Sequence, residues 1–294
     1  MAPKLASVQG ETVLLEAVDA YRAALGDRLL AAYALGSLAH GGFSELVSDV
    51  DLGLILSDPL EPGDPDSIQR VAESERRKGS PLHERLSVFW GTPATLAGEC
   101  EGGRFPPLDR LDLLESGRLL TGSDGARARV QRPSTEELVI TGAEFALDHL
   151  AAVRPPSGDD NDGLGSIRAG GSEAFAQIRS PELLAAQGVR QLTKLVLFPV
   201  RFMYTAATGH VGTNGDAVAH YLRRQAAPSP RLVEAALHWR TNPPSDEATV
   251  AELLRAELVP LYVEYVEDHA PRLEAMGRDD LTRAFQEWRG QLLA

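Results

Sequence analysis

The sequence predicts an α/β (α+β) domain with a mixed β-sheet, followed by an all-α helical bundle domain. Two short apolar runs, Leu29–Leu35 and Val50–Leu56, have the length of strands and enclose a Gly-rich segment. The second half of the 294-residue chain instead repeats apolar residues at helical spacing. Between the two halves lies a stretch rich in Gly, Asp and Ser, a composition typical of a loop. We therefore expect a first domain at residues 1–155, a loop or linker at 156–172 and a helical domain at 173–294.

Composition narrows the classes of function. The formal net charge of −13 argues against broad electrostatic binding to nucleic acid, because a basic surface supplies most of that affinity. An acidic surface suits a cationic small molecule or a protein partner better. No apolar run approaches the ~20 residues of a membrane helix, and the N-terminus lacks a signal peptide core, so we expect a cytoplasmic protein without membrane contact. The single cysteine, Cys100, excludes an internal disulfide and a cysteine-rich zinc site.

Periodicity and helix breakers define the elements of the first domain. Apolar residues between Val13 and Leu25 recur at helical spacing, and Gly26 ends that helix. Ser134 and Glu137 form the pattern of a capping box at the start of another helix. The predicted elements are helices Val13–Leu25, Ser67–Lys78 and Thr135–Val153, strands Leu29–Leu35, Val50–Leu56 and Leu86–Trp90, and a helix end with a short strand within Leu111–Gly122.

The second domain is predicted to be helical. Ser180 with Pro181 marks the start of its longest helix, and Gly209 marks the end. Pro199 lies inside that helix and leaves the carbonyl of Leu195 without its helical partner, so we expect a kink there. The predicted helices are Pro181–Thr208, Asn214–Gln225, Pro230–Arg240, Ser245–Ala275 with Pro260 and Pro271 as points of interruption, and Asp279–Leu293.

Asp49 and Asp51 carry the strongest chemical signal. Two residues apart on an extended strand, their side chains point to the same face. Adjacent carboxylates repel each other unless a cation lies between them, and Mg2+ held by one or two carboxylates takes its other ligands from water and phosphates. Gly36 lets a ligand approach the backbone, and Ser37 offers a hydroxyl where a helix begins. A metal on one side and phosphates on the other suggest nucleotidyl transfer.

The order of these residues also resembles a known signature. Gly36-Ser37, eleven intervening residues and Asp49-x-Asp51 are similar to the signature of the DNA polymerase beta-like nucleotidyltransferase superfamily. The resemblance implies that Gly36 and Ser37 hold the terminal phosphates of a nucleoside triphosphate such as ATP. It implies equally that Asp49 and Asp51 hold Mg2+.

A third carboxylate, which serves as metal ligand or general base, normally lies in this superfamily on the strand beside the Asp-x-Asp strand. Here that strand is Leu86–Trp90, which contains no acid, and Ser87 stands where the acid is expected. Glu84, just before the strand, is the nearest substitute as a catalytic residue. Asp109 or Asp112 could also reach the site from the following segment. General base assistance is typically worth ~10²- to 10⁴-fold in rate, so the choice matters for turnover.

The long helix of the second half carries a narrower resemblance. It ends in Tyr-Thr-Ala-Ala-Thr-Gly, with Arg201 three residues before Tyr204. This segment resembles the C-terminal helical domain of aminoglycoside adenylyltransferases of the streptomycin and spectinomycin type, which implies that Arg201 faces the triphosphate. Independently, Arg190, Lys194 and Arg201 fall within about 40 degrees of one another on a helix, so Lys194 can support that role. Those enzymes place acids just before this segment to hold the drug, where this chain has Gln191–Thr193.

The leading hypothesis from the sequence is a Mg2+-dependent transferase that moves AMP from ATP onto a hydroxyl of a small molecule, with an aminoglycoside-like antibiotic as a candidate. A second hypothesis replaces the acceptor with a protein side chain, as in the minimal nucleotidyltransferases that act as antitoxins. A third is a nucleotide-binding regulator without catalysis. The missing strand carboxylate favours the third hypothesis, and the intact Asp-x-Asp pair opposes it.

Overall fold

The structure is a computed structural model that describes residues 7–151, 153 and 165–294. The chain divides into two compact units, Met1–Pro133 and Ser134–Ala294. The first unit contains a four-stranded sheet and the second is helical. The predicted fold class, an α/β (α+β) domain followed by a helical bundle domain, is confirmed. Within the described part of the chain, no helix combines the length and the apolar character needed to cross a membrane.

The first unit begins with helix α1 (Val8–Leu25), where the side chain of Ser7 accepts a hydrogen bond from the N–H of Gly10. Strands β1 and β2 have the predicted bounds, and the third strand ends one residue later than predicted. The elements after α1 are a 3-10 helix (Gly26–Arg28), β1 (Leu29–Leu35), α2 (Gly36–His40), β2 (Val50–Leu56), α3 (Asp64–Arg76), α4 (Pro81–Glu84), β3 (Leu86–Gly91), α5 (Pro93–Leu96), α6 (Pro107–Glu115), β4 (Arg118–Gly122) and a second 3-10 helix (Asp124–Arg129).

The sheet is mixed, with strand order β3-β2-β1-β4. Strand β1 pairs antiparallel with β2 and β4, and β2 pairs parallel with β3. Because side chains alternate along a strand, Ala34 and Leu52 pack into a core with α1 and α3 on one face. Tyr33, Leu35 and Ile55 pack on the other face into a smaller core that also includes side chains of α5 and α6. Both faces of the sheet are therefore covered by helices.

The second unit buries one continuous apolar core among its helices. Helix α7 starts at Thr135, with the Ser134 hydroxyl accepting a hydrogen bond from the N–H of Glu137. The helices of this unit are α7 (Thr135–Leu150), α8 (Gly165–Arg179), α9 (Pro181–Ala185), α10 (Val189–Thr208), α11 (Asn214–Leu222), α12 (Pro230–Trp239), α13 (Glu247–Ala275) and α14 (Asp279–Leu293). Helix α13 continues through both of its prolines, whereas the sequence suggested interruptions.

The division between the units lies earlier than the predicted domain boundary at residue 155. Helix α7 packs against α8, α10, α13 and α14, and it therefore belongs to the second unit. Its apolar positions, including Val139 and Leu147, are buried in the core of that unit. Of the predicted linker 156–172, residues 156–164 lie outside the described residues, and the rest begins α8.

Two helices replace the single helix predicted at Pro181–Thr208. Helix α9 ends at Ala185, and α10 begins at Val189 after Gly188. Gly188 has φ +85°, a left-handed backbone conformation that favours glycine. A lone glycine within a helical pattern is weak evidence of a break, which explains why the sequence alone did not locate this one.

The carbonyl that Pro199 leaves without a helical partner is satisfied by a distant side chain. The hydroxyl of Tyr262 on α13 donates a hydrogen bond of 2.8 Å to the carbonyl oxygen of Leu195. Tyr262 is fully buried, so water cannot supply this bond in its place. The proline in α10 is thus accommodated by packing against α13.

Candidate active site

The predicted site residues lie at one end of the sheet, where β1 ends and β2 begins. Leu35, the last residue of β1, pairs with Asp51 on β2. Leu35 belongs to the core that α5 and α6 cover, and directly paired residues point to the same face of a sheet. Asp51 therefore lies on this face, at its open end, and its side chain is partly exposed. Asp49 precedes the strand by one residue and is also partly exposed.

Gly36 is in close contact with Asp51. Its φ is +59°, in the left-handed region that suits glycine. A methyl group added at Gly36 would collide with Oδ2 of Asp51 and would lie 3.1 Å from its Cγ. The sequence therefore has a glycine here for two reasons, the backbone conformation and the approach of the carboxylate. Ser37, the next residue, is partly exposed in the first turn of α2.

A second carboxylate, Asp112 on α6, reaches the same glycine. Its Oδ2 accepts a hydrogen bond of 2.5 Å from the backbone N–H of Gly36. Asp112 is 5% exposed, so the carboxylate is held inside the protein next to the turn. The sequence named Asp112 only as one alternative among several acids. Its contact with Gly36 joins residues that are 76 positions apart, which no local pattern could reveal.

The position beside Asp51 on the neighbouring strand is occupied by Ser87, as the sequence indicated. Strands β2 and β3 pair in parallel, with Asp51 opposite Ser87 and Gly53 opposite Phe89. The ring of Phe105 lies close to Gly53: a Cβ added at Gly53 would lie 3.2 Å from Cζ of Phe105. Aromatic rings therefore border Ser87 and Asp51 on this face.

Glu84, the predicted substitute for the strand carboxylate, is the last residue of α4 and is exposed. It precedes Ser87 by three residues, on the approach to β3. Within the described residues, its side chain makes no hydrogen bond or ion pair with the Gly36 turn. The neighbouring Arg85 instead ties this segment to the loop before Asp49 by donating to the carbonyl oxygens of Ser48, at 3.1 Å, and Glu45, at 2.9 Å.

The cations predicted to bind phosphates lie on α10 in the second unit. Lys194 and Arg201 are both partly exposed, and Nζ of Lys194 lies 5.4 Å from the ring centre of Phe198. Arg201 has no carboxylate partner within the part of the chain that the structure describes. Phe198 and Phe202 flank it on the helix, with ring centres 5.9 Å apart. The partly exposed side of α10 is thus both cationic and aromatic.

One further group has the residue types of a metal site. Among the described residues, ligand atoms of Glu16, Glu75 and His83 lie within 4.8 Å of one another. The ammonium of Lys78 already lies among them, 2.8 Å from Glu16 and 2.7 Å from Glu75. Hydrogen bonds with Lys78 and His83 lower the pKa of Glu16. We assign this group to an ion-pair network that joins α1 to α3 and α4.

Comparisons with known proteins identify a solved structure with a similar fold. No family model matches the sequence, and no curated protein matches it. Among solved structures, the chain is similar to spectinomycin adenyltransferase AAD(9) from Enterococcus faecialis, determined with ATP and spectinomycin. The identity is 12%, the match covers 85% of this chain and 98% of that chain, and the TM-score is 0.52. The resemblance that the sequence predicted is therefore confirmed at the level of the fold: the chain shares the fold of that structure at low sequence identity.

Proposed function

We propose that this protein is a Mg2+-dependent nucleotidyltransferase that transfers AMP from ATP to a hydroxyl group of a small molecule. The observation that carries the proposal is the Gly36 turn, with the Asp51 carboxylate packed against it at the end of a nucleotidyltransferase-like sheet. A structural neighbour with ATP and spectinomycin supports an adenylyl donor and a small acceptor.

The residues fit a bound magnesium ion. Asp49, one residue before β2, and Asp51, on β2, would supply oxygen ligands, and the Asp51 carboxylate lies against the Gly36 turn, where only glycine leaves room for it. Mg2+ at Asp49 and Asp51 would neutralise charge that develops on the α-phosphate. Ser37 and the backbone of Gly36 would hold the terminal phosphates of the donor.

The remaining roles concern the triphosphate and the acceptor. Arg201, with Lys194 in support, is the proposed source of positive charge for the triphosphate, because a guanidinium can grip phosphate oxygens in pairs. In the transfer itself, the acceptor oxygen bonds to the α-phosphorus, the bond from that phosphorus to the bridging oxygen of pyrophosphate breaks, and the acceptor proton passes to a base or to water. Glu84 is the proposed base from the sequence, with Asp109 and Asp112 as the alternatives that the sequence left open.

The acceptor class follows from charge and from the neighbour. The net charge of −13 favours a cationic acceptor, and the neighbour was determined with spectinomycin, so aminocyclitol and aminoglycoside antibiotics are the first acceptors to try.

The decisive experiment separates nucleotide binding from turnover. ATP with Mg2+ should raise the melting temperature of the wild type, because a ligand that binds only the native state stabilises it. Asp51→Asn should remove the Mg2+-dependent part of the shift, whereas Asp19→Asn, the same charge change at an exposed position of α1, should not. Arg201→Ala should weaken ATP binding roughly 10-fold, the loss of one charged hydrogen-bonding group, and the exposed Arg223→Ala should leave it unchanged.

Pyrophosphate release then identifies the reaction. Release that depends on an added antibiotic or nucleoside supports the proposal, and release that depends on a protein acceptor supports protein modification instead. ATP binding without release for any acceptor would favour the regulator, which the serine opposite Asp51 makes the main alternative. A full Mg2+-dependent shift in Asp51→Asn would contradict the assigned metal site.

A further inference from the structure

Asp112 is not one of the signature residues, yet its buried carboxylate contacts one of them, Gly36, directly. Its Oδ2 accepts from the N–H of Gly36, and the other side of Gly36 is in contact with Asp51. Two carboxylates from different elements thus approach one glycine. The φ of Gly36 is +59°, and a rotation about its N–Cα bond would move the Ser37 hydroxyl relative to the Gly36 N–H.

Helix α6 holds Asp112 in place. Pro106 and Pro107 lead into the helix, and Leu111 and Leu113, on either side of Asp112, are fully buried. Helix α6 packs against β1, the strand that ends at Gly36. The backbone position of Asp112 is therefore fixed relative to the turn.

Two roles are compatible with a carboxylate at this place. As a general base or metal ligand, it would need an oxygen that reaches the acceptor or the ion, and its negative charge would be essential. As a support for the turn, it needs only an acceptor atom at the Oδ2 position. The 5% exposure and the 2.5 Å bond to a backbone N–H favour the second role.

We propose that Asp112 is a positioning residue for the proposed nucleotidyl transfer: its carboxylate fixes the N–H of Gly36 and thereby sets the Gly36-Ser37 turn and the place of the Asp51 carboxylate. This inference rests on the proposed function. Under this proposal, helix α6 supports the Gly36-Ser37 turn through Asp112, which is not one of the signature residues.

The test compares substitutions that separate geometry from charge. In Asp112→Asn, the amide carbonyl can still accept from Gly36 at the same position, but the charge is gone. In Asp112→Glu, the charge remains and the longer side chain moves the oxygens. A positioning role predicts that Asn retains activity within roughly fivefold of wild type, because a neutral acceptor makes a weaker bond, while Glu and Ala lose roughly 100-fold through misplacement.

The Asp112 substitutions that misplace the turn should change both KM and kcat. Misplacement of the turn should raise KM for ATP with Mg2+ and lower kcat together in Asp112→Ala and Asp112→Glu. The matched control is Asp64→Ala, because Asp64 is also 5% exposed and also accepts from a backbone N–H, that of Glu61, at 2.8 Å. Asp64→Ala should lower the melting temperature, because a buried contact is lost, but it should leave KM for ATP unchanged, because the site is intact.

A second readout does not depend on activity. In 15N-labelled protein, the amide proton of Gly36 should resonate far downfield in wild type and Asp112→Asn, and should move upfield in Asp112→Ala. Asp112→Asn as inactive as Asp112→Ala, or less active than Asp112→Glu, would overturn the proposal and make the charge the essential feature. An unchanged Gly36 resonance in Asp112→Ala would overturn it as well. If wild type bound no ATP while the Gly36 resonance still responded to Asp112→Ala, the proposed function would fail and the hydrogen bond would stand as a purely structural contact.

Discussion

Carboxylates at one place in each unit have different surroundings. In the second unit, Asp268 on α13 contacts Arg224 at 3.3 Å and Arg272 at 3.1 Å. Burial would raise the pKa of Asp268, but contacts with His269 and Arg272 lower it to about 2. Opposite charges there compensate each other between packed helices, as a fold requires.

In the first unit, the carboxylates of Asp51 and Asp112 instead approach a backbone glycine. These carboxylates come from different elements, strand β2 and helix α6, and both lie next to the same turn. The proposals above assign Asp51 to a bound cation and Asp112 to control of the turn. The difference teaches that the contacts of an acidic side chain, and not its residue type alone, decide which role can be proposed for it. Three substitutions test that contrast.

The largest effect is expected for Gly36→Ala. The new methyl group would collide with the Asp51 carboxylate, and the residue would have to keep φ +59°. Because a misplacement of about 1 Å at a reacting centre can cost ~100-fold, kcat/KM for pyrophosphate release should fall by at least about that factor. Gly26→Ala is the matched control, since Gly26 has a similar φ of +53° but no atom near its Cβ position. Equal losses in both variants would show that backbone strain, and not the carboxylate, is responsible.

An intermediate effect is expected in the second unit for Tyr262→Phe. The substitution leaves the carbonyl of Leu195 buried without a donor, which should lower the free energy of unfolding by about 2 kcal/mol in urea titrations. Pro199→Ala restores a helical N–H for the same carbonyl, so Tyr262→Phe should cost less in that background. Equal costs in both backgrounds would mean that Tyr262 does not compensate for the proline.

The smallest effect is expected for the pH dependence of folding stability that His269 causes. Burial lowers the pKa of His269 from its usual 6.5, and this effect outweighs the contact with Asp268 at 3.3 Å, which acts in the opposite direction. The unfolded chain then binds the extra proton as the pH falls below about 6.5, so stability is present above that pH and decreases below it. The free energy of unfolding should therefore fall as the pH is lowered from about 7.5 to about 5.5.

His269→Phe should reduce that pH dependence, because the ring packing against Phe285 and Tyr265 can be kept without a titrating group. The exposed His238→Asn serves as control and should leave the slope unchanged. A steeper loss of stability with acid in His269→Phe would mean that the histidine is charged in the fold.

Much of the fold followed from local patterns. The bounds of β1, β2 and α14 agree with those predicted, because strand alternation and helix caps depend on neighbouring residues. The assignment of α7 to the second unit could not be predicted, since its amphipathic pattern shows that one face is buried but not against which partner.

For the candidate site, the sequence by itself determined the residue types and their order: a glycine-serine turn, two acids two residues apart, and a serine where an acid is expected. The structure has Ser87 opposite Asp51 as that pattern predicts, whereas the tertiary structure alone decided that the N–H of Gly36 donates to Asp112 and that the hydroxyl of Tyr262 donates to the carbonyl of Leu195. The last two contacts join residues 76 and 67 positions apart. Periodicity reports only which side of an element is buried, whereas such contacts depend on how whole elements pack, and packing is fixed by the summed burial of many side chains.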